Sequence, residues 1–290
     1  MPPAATRRRP PASPPARGRW ARPAWAALLG VVLALGAAPL GRAELLVAAA
    51  VSLREPILEI RDGYLARHPG EALRFSFGAS SGLGLQIRSG APVAVFLSAD
   101  DRIVERLVAQ GRVAAGDHFP LARNRIVVIA LPERGLSIAA PADLVQPGVR
   151  RIALASEAVP VGRYARDWLA QHGLSEAVEQ RLVVTEHARA TLSSVDLGHA
   201  DLAIVYATDA AVARRAVVVY EIPEAEQPRI VYEAARIDLG ERQSAGERAS
   251  AERFLAHLRE SEARKILEAA GFTAASREPV ARAGSAEPLQ

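Results

Sequence analysis

Between Glu44 and Thr273 short apolar runs alternate with longer stretches in which apolar residues return every three or four positions, the pattern of strands alternating with amphipathic helices. Leu45–Ala48 reads as a strand. A helix follows over Leu53–Arg67, where Leu53, Ile57, Ile60 and Tyr64 share one face and Pro69-Gly70 ends the pattern. Leu73–Phe77 and Val93–Leu97 predict strands, and Gly82–Ser89 and Asp101–Gln110 predict helices, the second closed by Gly111. Ile126–Leu131 is apolar and β-branched enough for a buried strand. Arg151–Ala155, Leu182–Val184 and Leu202–Val205 continue the strands, with helices over Gly162–His172 and Ala188–Leu197 between them. Val217–Tyr220 and Ile230–Ile237 are late strands, and one helix is expected over Ala249–Ala270, ending at Gly271. From Ala274 onward the composition predicts a disordered tail. There is no internal repeat. Roughly 230 residues of such units are more than one open sheet usually needs. The expected fold is α/β, as two lobes with a ligand cleft between them.

The N-terminus breaks this pattern and changes the charge argument. Arg7, Arg8, Arg9, Arg17, Arg19 and Arg22 form a positive region without acids, followed by an apolar stretch from Ala24 to Leu40. Gly41-Arg42-Ala43 then places small residues at both positions that a signal peptidase reads, so residues 1–43 are expected to be a secretory signal peptide. A membrane anchor is the alternative, near the lower length limit for spanning a bilayer. The whole chain carries 36 basic and 32 acidic residues. Seven of the arginines fall in residues 1–43 with no acid beside them, so the mature chain has a net charge of −3. Nucleic-acid binding loses its main support with them. No cysteine is present, which excludes disulfides, thiolate metal sites, a cysteine nucleophile and a lipid anchor on cysteine.

Candidate chemistry sits where strands give way to helices. Ala48–Leu53, Phe77–Leu83 and Val159–Tyr164 are small-residue or polar junctions, and Thr185–Arg189 is a fourth. Free N–H groups and the positive end of the dipole make each helix start an anion site, and serine hydroxyls add donors. Taken singly, Ser52 with Glu55 fits a capping box, and Ser80 and Ser81 fit caps of the next helix. The anion reading gains from the set, because several starts would converge on one cleft.

The stretches AAAVSL, FGASSGLGLQI, SGAPVAVFLSAD, RNRIVVIA, VPVGRYA, DLAIVYATDA and GFT occur in this order across the mature chain. In this the chain resembles the periplasmic molybdate-binding proteins of ABC molybdate importers, over about Glu44 to Thr273. The resemblance implies a type II periplasmic-binding fold with lobe one at 44–125 plus 232–273, lobe two at 126–231 and a tail at 274–290. It implies capture of molybdate, and tungstate with it, by neutral hydrogen bonds. Carried over by position, Ser52 and Ser80 would give hydroxyl and backbone donors, Val161 and Ala188 backbone N–H groups, and Tyr206 its phenol. Tyr206 also reads as a core tyrosine closing an apolar strand. Departures from the pattern are Val51 and Val161 where the family has alanine, and Ala188 where valine occurs; these bear on pocket width and ion selectivity. A periplasmic monomer is implied, handing its ion to a membrane permease, with no cofactor, no directly coordinated metal cation, no nucleic acid and no catalysis.

Other readings remain. Gly78-Ala79-Ser80-Ser81-Gly82 matches G-x-S-x-G between a strand and a helix, the setting of a hydrolase nucleophile, with Asp209 and His257 as formal partners. Only about 35 mature residues precede Ser80, few for the strands usually upstream of such an elbow. The six histidines, His68, His118, His172, His187, His199 and His257, have no metal-ligand spacing. The same fold could instead take sulfate, phosphate with Glu186 as acceptor, or an organic acid with Arg163 or Arg189 as partner.

Overall fold

The computed structural model describes residues 44–275. The expected signal peptide over 1–43, and the expected tail beyond Ala275, lie outside the described residues. In chain order the first part comprises β1 (Glu44–Ala50), α1 (Arg54–Arg67), β2 (Ala72–Gly78), α2 (Ser80–Arg88), β3 (Val95–Ser98), α3 (Asp101–Ala109) and β4 (His118–Asn124). The second part runs β5 (Ile126–Ala130), β6 (Ile152–Ala155), α4 (Pro160–Gln171), α5 (Ser175–Glu179), β7 (Leu182–Thr185), α6 (Ala188–Asp196), β8 (Leu202–Tyr206), α7 (Ala207–Ala210) and β9 (Val217–Glu221). The chain then returns through β10 (Ile230–Arg236), α8 (Ala245–Leu258), α9 (Ser261–Ala269) and β11 (Thr273–Ala274).

Two sheets result. One has the order β11-β4-β10-β3-β1-β2 and the other β7-β6-β8-β5-β9. In the first, β1 lies parallel between β2 and β3, and β10 runs antiparallel to β3 and β4. In the second, β6 is parallel to β7 and β8, while β5 is antiparallel to β8 and β9. The chain passes between the sheets twice, at Arg125 and through residues 222–229. Ile230 and Val231 already pair with Asn124 and Arg123, so the first sheet resumes two residues before position 232. Helices cover both faces of β1, which explains its run of small apolar side chains, buried from Val47 to Ala50. One apolar cluster extends from Leu45, Ile57 and Tyr64 in the first sheet's layer to Ile126, Leu154 and Trp168 in the second's.

Beside the short helices α5 and α7, which the sequence expectation lacks, three departures have a legible reason. β4 has no counterpart there, because Pro120 interrupts its run; the proline sits where the pairing with β10 slips between Tyr232 and Glu233, a position that tolerates a missing N–H. The helix expected over Ala249–Ala270 is two helices. Its buried apolar positions are Ala251, Phe254, Leu255 and Leu258, then Ala263 and Leu267. The step from 258 to 263 breaks the helical phase, and Glu260 turns extended to restart it. Ala274, expected in the tail, pairs with Ala122 on β4.

Asp196, the last residue of α6, holds the turn into β9. Its carboxylate accepts from the backbone N–H groups of Arg214, Arg215 and Ala216 at 3.1, 3.0 and 2.9 Å. Burial raises its pKa, but these donors outweigh it and hold the carboxyl below its ordinary value. A lowered pKa stabilises the fold above the unfolded value and loses that contribution as pH falls through the folded one. Asp196→Ala is therefore expected to cost about 1.5 kcal/mol near neutrality. Urea midpoints measured at neutral and strongly acidic pH should show the gap closing in acid.

Candidate functional site

The carboxyl ends of β1, β2, β6, β7 and β8 all open toward one cleft, as ligand sites do in α/β sheets. Each is followed by a helix start. β1 runs into a 3-10 turn, Val51–Leu53, that continues as α1, and neither Ser52 nor any other side chain caps it. β2 leads through Ala79 into α2, whose first internal bond is Leu83 N–H to Ala79 C=O. The N–H groups of Ser80, Ser81 and Gly82 therefore have no partner within the helix. In α4 the first bond runs from Arg163 N–H to Val159 C=O. Pro160 has no N–H, so Val161 and Gly162 carry the first free donors. α6 starts at Ala188, and His187 caps it by accepting from Ala190 N–H at 3.0 Å.

These starts border a space of about 210 Å³, partly open to solvent and lined by Ala50, Val51, Ser52, Gly78, Ala79, Ser80, Ala99, Val159, Pro160, Val161, Ala188 and Tyr206. All five residues proposed from the sequence, Ser52, Ser80, Val161, Ala188 and Tyr206, are among them. Ser80 Oγ accepts from Ala99 N–H at 2.9 Å, which leaves its proton free. Ser52 Oγ lies 2.8 Å from the Tyr232 phenol oxygen. Tyr206 packs its ring in the core, 5.8 Å from that of Tyr232. Its hydroxyl is buried without a hydrogen-bond partner. Burial pushes the Tyr206 phenol well above its ordinary pKa, so it keeps its proton as a donor.

Among the described residues no charged side chain lines this cavity. The nearby arginines are matched elsewhere. Arg163 Nη2 pairs with fully buried Asp100 at 2.8 Å, and the guanidinium packs on the Tyr164 ring. Arg189 pairs through Nε with fully buried Asp209 at 2.6 Å, and through Nη2 with Glu55. Burial pushes the Asp209 carboxyl up to about 6 against the pull of Arg189, leaving it ionised at neutral pH. Arg189 borders a separate cavity of about 560 Å³ with Glu55 and Thr208. The Glu186 side chain is 81% exposed and pairs with His187, outside the cavity.

The competing assignments find little geometry. Glu55 is engaged with Arg189 rather than with a helix start, and Ser80 bonds Ala99, so neither serine is a simple cap. His257 contacts Arg67, Glu260 and the Ile60 carbonyl, and Asp209 faces Arg189, so no triad forms around Ser80. Among the described residues no cluster of three or more His, Asp or Glu could hold a metal. Sequence reasoning missed Tyr232, Asn124 and Asp100. Tyr232 was hidden inside the apolar run of β10, and nothing local marked Asp100 as the partner of Arg163.

Residues 45–273 match the family model of bacterial extracellular solute-binding proteins. The molybdate-binding protein ModA of Mycobacterium tuberculosis is 30% identical over 80% of this chain and 85% of its own length. YvgL of Bacillus subtilis, provisionally named an ABC transporter substrate-binding lipoprotein, is 32% identical over 80% of this chain and 87% of its own. The solved periplasmic molybdate-binding protein of Azotobacter vinelandii aligns with a TM-score of 0.68 and 29% identity, over 80% of this chain and all of that one.

Proposed function

This chain belongs to the family of bacterial extracellular solute-binding proteins, and from that premise we propose that it captures molybdate, and tungstate with it, for an ABC importer. The observation that carries the reading is a cavity furnished with donors and no free charge. Helix starts at Val51, Ser80, Val161 and Ala188 face it, with the hydroxyls of Ser52, Ser80 and Tyr206. A tetrahedral dianion without a proton offers only acceptors, and a donor-only site matches it. The names of the relatives support the same ligand. Phosphate keeps a proton at neutral pH and asks for an acceptor, but Glu186 faces solvent. Organic acids ask for a free arginine, but Arg163 and Arg189 are paired. Sulfate is also a proton-free dianion, so cavity size must separate it from molybdate.

In this reading residues 44–125 with 232–273 form lobe one, 126–231 form lobe two, and the ion binds donors from both. It therefore favours the closed arrangement, and only that difference in affinity drives closure. The protein works in the periplasm after removal of residues 1–43, as a monomer that docks on a membrane permease. The family is one of solute binding, not catalysis.

Thermal shifts on protein cleared of ions test this. At a ligand concentration about 1,000 times the dissociation constant, binding stabilises by about 4 kcal/mol. For a protein of this size that is roughly 8–16 °C. Molybdate and tungstate should give this shift, and sulfate and phosphate should not. Ser80→Ala removes a donor to a charged ligand and should weaken molybdate binding roughly 10- to 100-fold. A shift with sulfate or phosphate alone would replace the ligand, and unchanged binding by the variant would remove Ser80 from the site.

A further inference from the structure

The hydroxyl of Ser52 does not choose its own direction. Arg125 N–H can only donate, and it meets Asn124 Oδ1 at 2.9 Å, which fixes that atom as the oxygen of the amide. Asn124 Nδ2 must then be the donor on the other side. It lies 2.9 Å from Thr208 Oγ1 and 3.3 Å from the Tyr232 phenol oxygen. The Tyr232 oxygen accepts from Asn124, and among the described residues Ser52 Oγ, 2.8 Å away, is the partner left to take its single proton. Tyr232 is fully buried, and burial pushes its phenol far above the ordinary range, so the proton stays in place. With its oxygen engaged as an acceptor, Ser52 has its own proton left for the cavity.

We propose that Asn124 and Tyr232 are positioning residues: a directed relay, Arg125 N–H to Asn124 to Tyr232 to Ser52, presets Ser52 as a donor and thereby selects proton-free oxyanions over those bearing a proton. The inference rests on the donor-only reading of the site and adds its specificity determinant. Asn124 ends β4 at the passage between the sheets, and its second donor bond goes to Thr208 on α7. The relay is thus assembled where the two sheets meet.

Titration calorimetry at mildly alkaline pH, where molybdate and hydrogen phosphate are both dianions, gives the test. Tyr232→Phe should weaken molybdate binding roughly 3- to 10-fold. It should also narrow the preference for molybdate over hydrogen phosphate, because a released Ser52 hydroxyl can turn to accept. In a Ser52→Ala background the same substitution should have no further effect, which a merely structural tyrosine would not satisfy. Asn124→Asp inverts the relay: the carboxylate accepts a hydrogen bond from the Tyr232 O–H, Tyr232 accepts one from the Ser52 O–H, and Ser52 presents a lone pair to the cavity. The added charge repels both dianions alike, so their affinity ratio should fall further than in Tyr232→Phe. This variant carries the test if Tyr232→Phe does not fold. An equal loss in the Ser52→Ala background, or an unchanged ratio in Asn124→Asp, overturns the relay. If the wild type takes sulfate rather than molybdate, the ligand assignment fails and the cycle is run with sulfate. A wild type that prefers hydrogen phosphate to every proton-free dianion overturns the relay itself.

Discussion

Replacing Gly162 with alanine will destabilise the protein by about 3 kcal/mol or more, an extreme of what overpacking costs. The added Cβ would stand 2.2 Å from the carbonyl oxygen of Ala155 and 2.3 Å from that of Ser156. Both are backbone atoms at the end of β6, so no side chain can swing aside. Relief requires the first turn of α4 to lift off the strand, and that turn carries the Val161 N–H that faces the cavity. Urea unfolding will read the lost stability, and calorimetry on whatever folds will read a loss of oxyanion binding beside it. The contrasting control is Gly63→Ala in the middle of α1, where nothing lies within 4 Å of the new methyl. It should be neutral or slightly stabilising through helix propensity.

Asp100→Ala is expected to weaken ligand binding roughly a hundredfold. Asp100 follows β3, is fully buried, and faces Arg163 on α4. The phenol of Tyr164 adds a longer contact to the same carboxylate at 3.4 Å. These contacts join the layer of the first sheet to that of the second, so in the open arrangement proposed above they would be absent. Removing the carboxylate leaves Arg163 enclosed without its partner on closure, at a cost of about 3 kcal/mol. An open form that returns the guanidinium to water escapes most of that penalty, so the loss should appear in affinity more than in ligand-free stability. The double variant Asp100→Ala with Arg163→Met should recover much of it, since no unmatched charge is then enclosed. A double variant no better than the single one would show that the pair acts through packing alone.

Much of the fold was legible because β1, β5 and β6 are continuous apolar runs between helices with clear phase. The gathering of the candidate residues was legible for a related reason: Ser52, Ser80, Val161 and Ala188, which line one cavity, each sit where a strand pattern gives way to a helix pattern, and the resemblance joined them with Tyr206. What stayed hidden depends on long-range pairing. Asp100 lies 63 positions from Arg163, and Tyr232 lies 180 positions from Ser52, so only the assembled sheets bring them together. The break between α8 and α9 was present in the sequence as a five-residue step from Leu258 to Ala263. It is masked by good helix formers on both sides. β4 was obscured by Pro120, whose meaning depends on a pairing slip with β10 that no local pattern announces.

Under the proposed function, the pairing of Arg163 and Arg189 with their own carboxylates would also govern how the ion arrives. A site with unmatched arginines attracts anions across a Debye length, and its association rate falls steeply with ionic strength. Here the cationic ends are spent locally, and residues 44–290 as a whole are slightly negative. On the proposed reading these two arginines add little long-range pull, and attraction would begin when the ion is near enough to meet oriented N–H and O–H dipoles. Capture in such a pocket runs at nearly the same speed in dilute and in saline surroundings. For the ligand proposed above, that constancy gives chloride, however abundant, little electrostatic reason to occupy the site.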